Sequence, residues 1–226
     1  MSKQLGALAG KFGTTTATVP SLGIDLSMPG KRNRAAHKRK ASLLKLVRLS
    51  ARYKKVRKWF RRKSHRIGRL YQGALKPAIA FGAGVNGLDD KELHSLRVQL
   101  LRAHKPNHGG VSLSLRLATI GDPCCVEALA PAHLWAKLVW QALCSPIAAL
   151  PDARELVHLW DTTMAGLDYE PNWANSRGPL IRVCLALARI GWKATAAFIW
   201  EDREGCVIHL GKIAPRMIAA MMNTVM

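Results

Sequence analysis

Adjacent carboxylates at Asp89 and Asp90 are the clearest candidates in the sequence for binding a metal ion. Paired acids hold magnesium in polymerases, because oxygen ligands suit that ion. The neighbouring residues favour a different role. Glu92 follows Asp89 by three residues, and leucines then recur at helical spacing, which is typical of a capping box. We therefore expect Asp89 to cap a helix that extends to about residue 101.

The histidines and cysteines also form no recognisable site. His104 and His108 are four residues apart, but Pro106 between them prevents a regular helix. Cys124 and Cys125 are adjacent, and the sequence contains no CxxC pair that would suit zinc. The patterns of serine hydrolases, P-loop proteins, dinucleotide-binding proteins and zinc proteases are absent. We predict no catalytic residue, no metal site and no cofactor in this chain.

Positive charge is concentrated in residues 31–76, called the basic segment below. It contains 19 Lys or Arg and no Asp or Glu, whereas the other 180 residues contain 16 basic and 14 acidic side chains. The formal net charge of +21 therefore belongs almost entirely to this segment. Such a concentration indicates a polyanionic partner, with nucleic acid ahead of an anionic membrane surface.

The basic segment has the periodicity of an amphipathic helix. Its apolar residues recur at spacings of three, four and seven, and Lys76-Pro77 is expected to end the helix. With no acid available for pairing along the helix, the cations repel one another and favour an external polyanion. The predicted apolar stripe consists of Leu46, Leu49, Tyr53, Val56, Phe60, Ile67 and Leu70.

The cations around this stripe are the predicted contacts to an RNA or DNA backbone. They give affinity without strong base preference, while Trp59 and Tyr71 are candidates for stacking on bases. A solvated helix, a disordered basic arm and a helix lying on an anionic membrane stay open as alternatives. The predicted nucleic-acid-binding residues are Arg48, Arg52, Lys54, Lys55, Arg57, Lys58, Arg61, Arg62, Arg66 and Arg69.

The rest of the sequence predicts a mainly helical fold with a small β component, in which the long basic helix packs on a helical body. Two short strands are expected at residues 14–19 and 21–26, separated by a break at Pro20. Residues 78–87 are expected to form a tightly packed helix end or turn. Further helices are predicted at 123–144 after Asp122, 152–165, 179–191 and 214–225, and strands at 195–200 and 206–210 are predicted to form a hairpin through residues 201–205.

This pattern divides the chain into four segments. They are a strand-like lead-in (1–30), the thumb-like basic segment (31–76), a helical body (77–145) and a C-terminal α+β module (146–226). No apolar run is long enough to span a membrane, and residues 1–10 lack the features of a secretory signal. Five cysteines without a disulfide pattern indicate reduced thiols in an intracellular protein, either nuclear or cytoplasmic.

The order of these features resembles the region after the palm in reverse transcriptases of non-LTR (LINE-type) retrotransposons. Leu22-Gly23-Ile24-Asp25 is similar to the segment near the end of the palm, and the basic segment to the thumb helices. Pro77 to Gly82 is similar to the Pro-x-x-x-aromatic-Gly element that follows, and the helix after Asp89 continues the likeness to residue 103. Residues 150–226 resemble the distal part of such polyproteins more weakly.

The resemblance implies a thumb and C-terminal fragment without polymerase activity of its own. It implies that Leu22 and Gly23 lie near the primer strand and that the basic helix follows a template–primer duplex. The aromatic-x-Asp-Asp hairpin of the family and its upstream metal-binding Asp have no match here. Mg²⁺ would therefore belong to a palm preceding Met1, and that missing polymerase portion is an expected partner. A stand-alone basic RNA- or chromatin-binding protein is the alternative.

Overall fold

A computed structural model gives the fold of most of the chain after residue 82 and of isolated positions before it. The described residues are 18–21, 24–27, 48, 51–52, 55, 73, 76–77, 82–104, 112, 114–115, 117, 122–147, 150–167, 169–176 and 178–226. The described helices are α1 (Ala83–Asn86), α2 (Asp90–His104), α3 (Cys125–Ala128), α4 (Ala130–Cys144), α5 (Ala153–Ala165), α6 (Pro179–Ala188) and α7 (Pro215–Val225). The described strands are β1 (Thr18–Ser21), β2 (Ile24–Ser27), β3 (Lys193–Ala196), β4 (Ile199–Glu201) and β5 (Val207–His209). The prediction of a mainly α fold with a small β component is confirmed.

Strands β1 and β2 form an antiparallel pair in which Thr18 is opposite Ser27 and Ser21 is opposite Ile24. The predicted break at Pro20 is wrong, because Pro20 lies within β1 and is opposite Asp25. When two residues connect the strands, the pair next to the turn exchanges hydrogen bonds and the following pair does not. Pro20 occupies that following pair, where a strand needs no N–H group. Leu22 and Gly23 lie between the strands, outside the described residues.

Helix α4 lies at the centre of the larger hydrophobic core, because α5, α6 and α7 all pack on it. The Trp135 and Trp160 rings lie 5.7 Å apart between their centroids, and the Trp135 Nε1–H donates to the Ala197 carbonyl at 2.8 Å. The core contains residues from both sides of the predicted segment boundary at residue 145. Its largest fully buried side chains are Leu129, Leu156, Leu187, Ile190, Trp200, Leu210, Ile218 and Met222.

The C-terminal sheet has three strands in the order β3-β4-β5 and not the two that the sequence predicts. The predicted strand 195–200 is divided by a turn at residues 197–198, so that β3 pairs with β4 as well as β4 with β5. Apolar side chains occupy both alternating sets of positions in this stretch, so the sequence has no two-residue period that would reveal the turn. The pairing of β4 with β5 and their connecting loop agree with the predicted hairpin.

A smaller core forms where α1, α2 and α3 meet, and it contains Leu88, Leu93, Leu96, Cys124 and Ala128. Reciprocal hydrogen bonds confirm the predicted cap of α2. The Glu92 N–H donates to the Asp89 Oδ1 at 2.8 Å, and the Asp89 N–H donates to the Glu92 Oε2 at 3.0 Å. Tight packing of the α1 region is also confirmed, because a Cβ at Gly87 (φ 61°) would overlap the Trp173 ring.

The predicted helix 123–144 is wrong as a single helix. Asp122 does act at its start, since its Oδ1 accepts from the Cys124 N–H at 2.9 Å. The chain then leaves helical geometry at Leu129 (φ −102°, ψ 7°), between α3 and α4. Pro131 in the first turn of α4 explains the interruption. It has no N–H for the carbonyl four residues earlier, and its ring crowds that carbonyl.

The ends of α5 and α6 follow their sequence signals closely. Asp152 and Glu155 form a complete capping box at the start of α5. After α6, the Trp192 N–H bonds to the Leu187 carbonyl and the Gly191 N–H to the Ala188 carbonyl, while Gly191 has φ 73°. This is the Schellman arrangement that favours glycine. Leu159 on α5 is 50% exposed, whereas Leu156 and Trp160 are buried in the core.

One further prediction about a helix concerns the end of the basic segment. Lys76 and Pro77 both have helical backbone, so the loss of helical geometry expected at the residue before Pro77 does not occur, and residues 78–81 lie outside the described residues. Proline itself accepts the helical φ, and the crowding that it imposes on the preceding residue is a preference that Lys76 overrides here. Helix α7 packs on α4, and Ile218 and Met222 enter the same core as Trp200 and Ile208 of the sheet.

We predict that His133 makes the fold sensitive to mild acid. Burial in α4 lowers the pKa of His133 from its ordinary value of 6.5, and its Nε2 has no hydrogen-bond partner among the described residues. The unfolded chain therefore binds this proton more tightly, and stability falls as the pH drops below 6.5 towards the folded pKa. Removing this group should reduce the slope of the free energy of unfolding against pH, by up to about 1.4 kcal/mol per pH unit.

Urea unfolding of His133→Met between pH 7.5 and 5 measures this effect. The matched control is His158→Met on α5, whose side chain is exposed. If His133→Met kept the pH dependence of the unsubstituted protein, His133 would not be responsible.

Candidate nucleic-acid interface

Three of the predicted phosphate contacts lie within the described residues. Arg48, Arg52 and Lys55 have helical backbone and exposed side chains, as does Ala51. Separations of four and three residues place these cations on one face of a helix. They precede the predicted stripe positions 49, 53 and 56 by one residue each, which is a rotation of about 100° around a helix. If the apolar stripe at positions 49, 53 and 56 packs against the fold, the cations one position earlier are expected to be exposed, as they are.

The other predicted contacts lie outside the described residues. They are Lys54, Arg57, Lys58, Arg61, Arg62, Arg66 and Arg69, together with the primer-contact residues Leu22 and Gly23. The apolar stripe and the stacking candidates Trp59 and Tyr71 lie outside the described residues as well. These assignments stay predictions.

In residues 77–226, called the body below, several cations are used inside the fold. Arg189 is the most connected of them, and its side chain is 11% exposed. Its guanidinium donates to the carbonyls of Leu88 at 2.6 Å and Ala128 at 3.1 Å, and its Cζ lies 4.0 Å from the centre of the Trp173 ring. It also pairs with Asp90 at 2.8 Å. Burial lowers the pKa of Arg189, and the hydrogen bond that it donates to Asp90 opposes that shift.

Arg182 has a similar role two turns earlier in α6, where it contacts the end of α1. Its Nη1 donates to the Asn86 Oδ1 at 2.8 Å and to the Val85 carbonyl at 3.4 Å. Burial lowers its pKa, and Glu92 opposes the shift. Neither arginine is among the predicted functional residues. The available signal was two arginines, seven positions apart, in an otherwise apolar helix.

Three more cations of the described part bind acids or carbonyls. Arg97 forms an ion pair with Asp122, and its Nε donates to the Asp122 Oδ2 at 2.9 Å. The Arg203 Nε donates to the Ile190 carbonyl at 2.6 Å. Lys76 pairs with Glu127 at 3.0 Å. Thus several cations of the body stabilise the fold, whereas Arg48, Arg52 and Lys55 are exposed.

The carboxylates considered for metal binding are used in the fold as well. Asp89 caps α2 and Asp90 pairs with Arg189. Among the described residues, no group of three or more His, Cys, Asp or Glu side chains could hold a metal ion. Burial raises the pKa of the Cys124 thiol to about 12, an effect strengthened by Asp122 and Glu127, which opposes a thiolate ligand there.

An open depression of about 380 Å³ lies between the loop after β4 and the end of α7. Asp202, Arg203 and Glu204 line it beside Trp192. Two carboxylates and one guanidinium give this depression no excess of positive charge. It is therefore a poorer place for a phosphate backbone than the exposed cations of the basic segment.

No family model, no curated protein and no solved structure matches this chain. None of the described helices is long and apolar enough to cross a membrane.

The different roles of Arg189 and Arg52 lead to opposite expectations. Arg189→Met should lower the free energy of unfolding by about 2–3 kcal/mol, because it leaves two buried carbonyls without their donor. It should leave nucleic-acid affinity unchanged at temperatures where the protein is folded. Arg52→Met should weaken nucleic-acid binding and leave the free energy of unfolding unchanged. Urea unfolding and fluorescence anisotropy with a labelled RNA duplex measure the two properties.

Arg154→Met is the control for both, since Arg154 is exposed on α5 and should affect neither property appreciably. A loss of affinity in folded Arg189→Met comparable to that in Arg52→Met would contradict this division of roles.

Thiol reactivity should follow burial. Burial raises the pKa of Cys184 to about 11, as it raises that of Cys124, whereas Cys144 and Cys206 are exposed. At pH 8, iodoacetamide should modify Cys124 and Cys184 at least about a hundredfold more slowly than Cys144 and Cys206. Mass spectrometry of timed samples measures the rates, and unfolding in urea should remove the difference. Equal native rates would show that Cys124 and Cys184 are as open to solvent as Cys144 and Cys206.

Proposed function

We propose that this chain binds nucleic acid through its basic segment, contacting the phosphate backbone of a duplex without strong sequence preference. The separation of charge carries the proposal: the segment has 19 Lys or Arg and no acid, beside a remainder with 16 basic and 14 acidic residues. The exposure of Arg48, Arg52 and Lys55 on one helical face supports it. A row of cations without base-edge readers supplies affinity and not sequence choice.

We further propose that the chain corresponds to the thumb and later part of a non-LTR reverse transcriptase, and acts without catalysis of its own. The supporting observations are the residues around Leu22-Gly23, the basic segment and Pro77 to Gly82, in that order. A template–primer duplex would be the ligand, and the missing polymerase portion a partner. An open reading frame upstream of Met1 that encodes an aromatic-x-Asp-Asp palm would support this origin. Non-coding sequence there would favour the stand-alone RNA- or chromatin-binding alternative.

Salt dependence of binding tests the function directly. If about six to eight cations contact phosphates, a plot of log affinity against log salt concentration should have a slope of about −5 to −7. Anisotropy titrations with duplex RNA, an RNA–DNA hybrid and duplexes of different sequence should give this slope with little base preference. Replacing Arg57, Lys58, Arg61 and Arg62 with Gln should reduce its magnitude by about 3 to 4, since each lost contact accounts for about 0.9.

A charge-matched control distinguishes contact from net charge. Replacing the exposed body residues Lys91, Lys137, Arg154 and Lys193 with Gln removes the same charge and should leave the slope close to that of the unsubstituted protein. Full affinity of the basic-segment variant would contradict the proposed contact surface. Tighter binding to anionic vesicles than to RNA would favour the membrane-surface alternative. Magnesium-dependent polymerase or nuclease activity of the isolated chain would contradict the non-catalytic role.

A further inference from the structure

Lys76, the last residue of the basic segment, is bound to the helical body. Its Nζ donates to the Pro123 carbonyl at 2.8 Å and lies 3.0 Å from the Glu127 Oε2. These partners are 47 and 51 residues further along the chain, immediately before and within α3. The contact therefore attaches the end of the basic segment to a part of the body that is distant in sequence.

This contact differs from a solvent-exposed ion pair. The side chains of Lys76 and Glu127 are only 19% and 15% exposed, so both charges are largely withdrawn from water. Separating such a pair is unfavourable, because each charge would be left poorly solvated without the other. The pair therefore holds its two side chains together. Arg48, Arg52 and Lys55, the other cations of the segment within the described part, are exposed instead. Lys76 is thus suited to attaching the basic segment to the body, whereas Arg48, Arg52 and Lys55 are suited to contacting a ligand.

We propose that this contact, called the Lys76 anchor below, is a positioning device for the nucleic-acid-binding surface. It holds the C-terminal end of the basic segment against α3, so that less conformational freedom is lost when the segment binds a duplex. Lys76 and Glu127 are positioning residues and do not touch the phosphates. The inference rests on the nucleic-acid-binding function proposed above.

Glu127 makes the anchor testable, because its replacement should strengthen binding to RNA if only net charge matters and weaken it if Glu127 positions the segment. Replacing an acid with a neutral residue raises the net positive charge, and electrostatics alone would then strengthen binding to a polyanion. If Glu127 positions the segment through Lys76, its loss should weaken binding despite the more favourable charge. The sign of the change distinguishes the two causes.

The first experiment compares Glu127→Gln with Glu170→Gln, which makes the same substitution at an exposed loop residue. Anisotropy titrations with an RNA duplex should show about three- to tenfold weaker binding for Glu127→Gln. Glu170→Gln should bind as tightly as the unsubstituted protein or slightly more tightly. The salt slope of Glu127→Gln should stay unchanged, because the same cations still contact the phosphates. Thermal unfolding confirms that each variant is folded at the assay temperature.

A charge exchange gives a second test with the same logic. Glu127→Lys adds two positive charges and should nevertheless bind more weakly than the unsubstituted protein. Adding Lys76→Glu restores an opposite-charge pair and removes those two charges, and it should recover part of the lost affinity. Electrostatics alone predicts the reverse order for the single and double variants. This pair of variants also decides the question if Glu127→Gln does not fold.

The outcomes separate the anchor from the proposed function. If the unsubstituted protein showed no salt-dependent binding to RNA, the proposed function itself would fail. If it bound RNA but Glu127→Gln matched Glu170→Gln or bound more tightly, only the anchor would be refuted. A lowered melting temperature without a change in affinity would assign the contact to fold stability alone. A reduced salt slope would mean that phosphate contacts are lost, and it would also overturn a purely positioning role.

Discussion

The guanidinium of Arg189 joins parts of the chain that are far apart in sequence. It extends from the end of α6 to the carbonyl before α2, the carbonyl at the end of α3 and the face of Trp173. A buried cation is tolerated only where donors and partners are well matched, because desolvation opposes its charged form. The arrangement of the smaller core beside α6 therefore depends on this one side chain. Arg182 contributes a second connection of the same kind, to the end of α1.

This use of arginine has a consequence for the charge that remains outside. Where cations of the body bind carbonyls and acids, they stabilise the fold and are not available to an external polyanion. Acids of the body are used in the same way: Asp89 and Asp152 cap helices, and Asp122 pairs with Arg97. Glu127 contacts the basic segment through Lys76. The surplus of positive charge thus stays in residues 31–76, where the cations repel one another.

Features that depend on neighbouring residues were the ones predictable from sequence. Asp89 and Asp152 carry capping signals within three residues, and Gly191 marks the end of α6. The interruption at Leu129 was missed although Pro131 was visible, because the apolar periodicity continues through it. The third strand was missed because the apolar residues around the turn at 197–198 have no two-residue period. The roles of Arg182 and Arg189 depend on partners about a hundred residues away, and no local pattern identifies such partners. At the candidate interface, the amino-acid composition of residues 31–76 was sufficient to predict the concentration of positive charge.

What composition does not determine is how a row of like charges is held in place. A basic helix without acidic partners gains little from its own side chains, so its stability must come from an apolar face, a bound polyanion or attachment at its ends. Attachment at one end limits the arrangements available to the chain without neutralising the cations that a ligand needs. Lys76 meets this requirement, because its charge is the one withdrawn from water at the junction with the body. Under the proposed function, affinity for phosphates and attachment to the fold are assigned to different residues of the same segment.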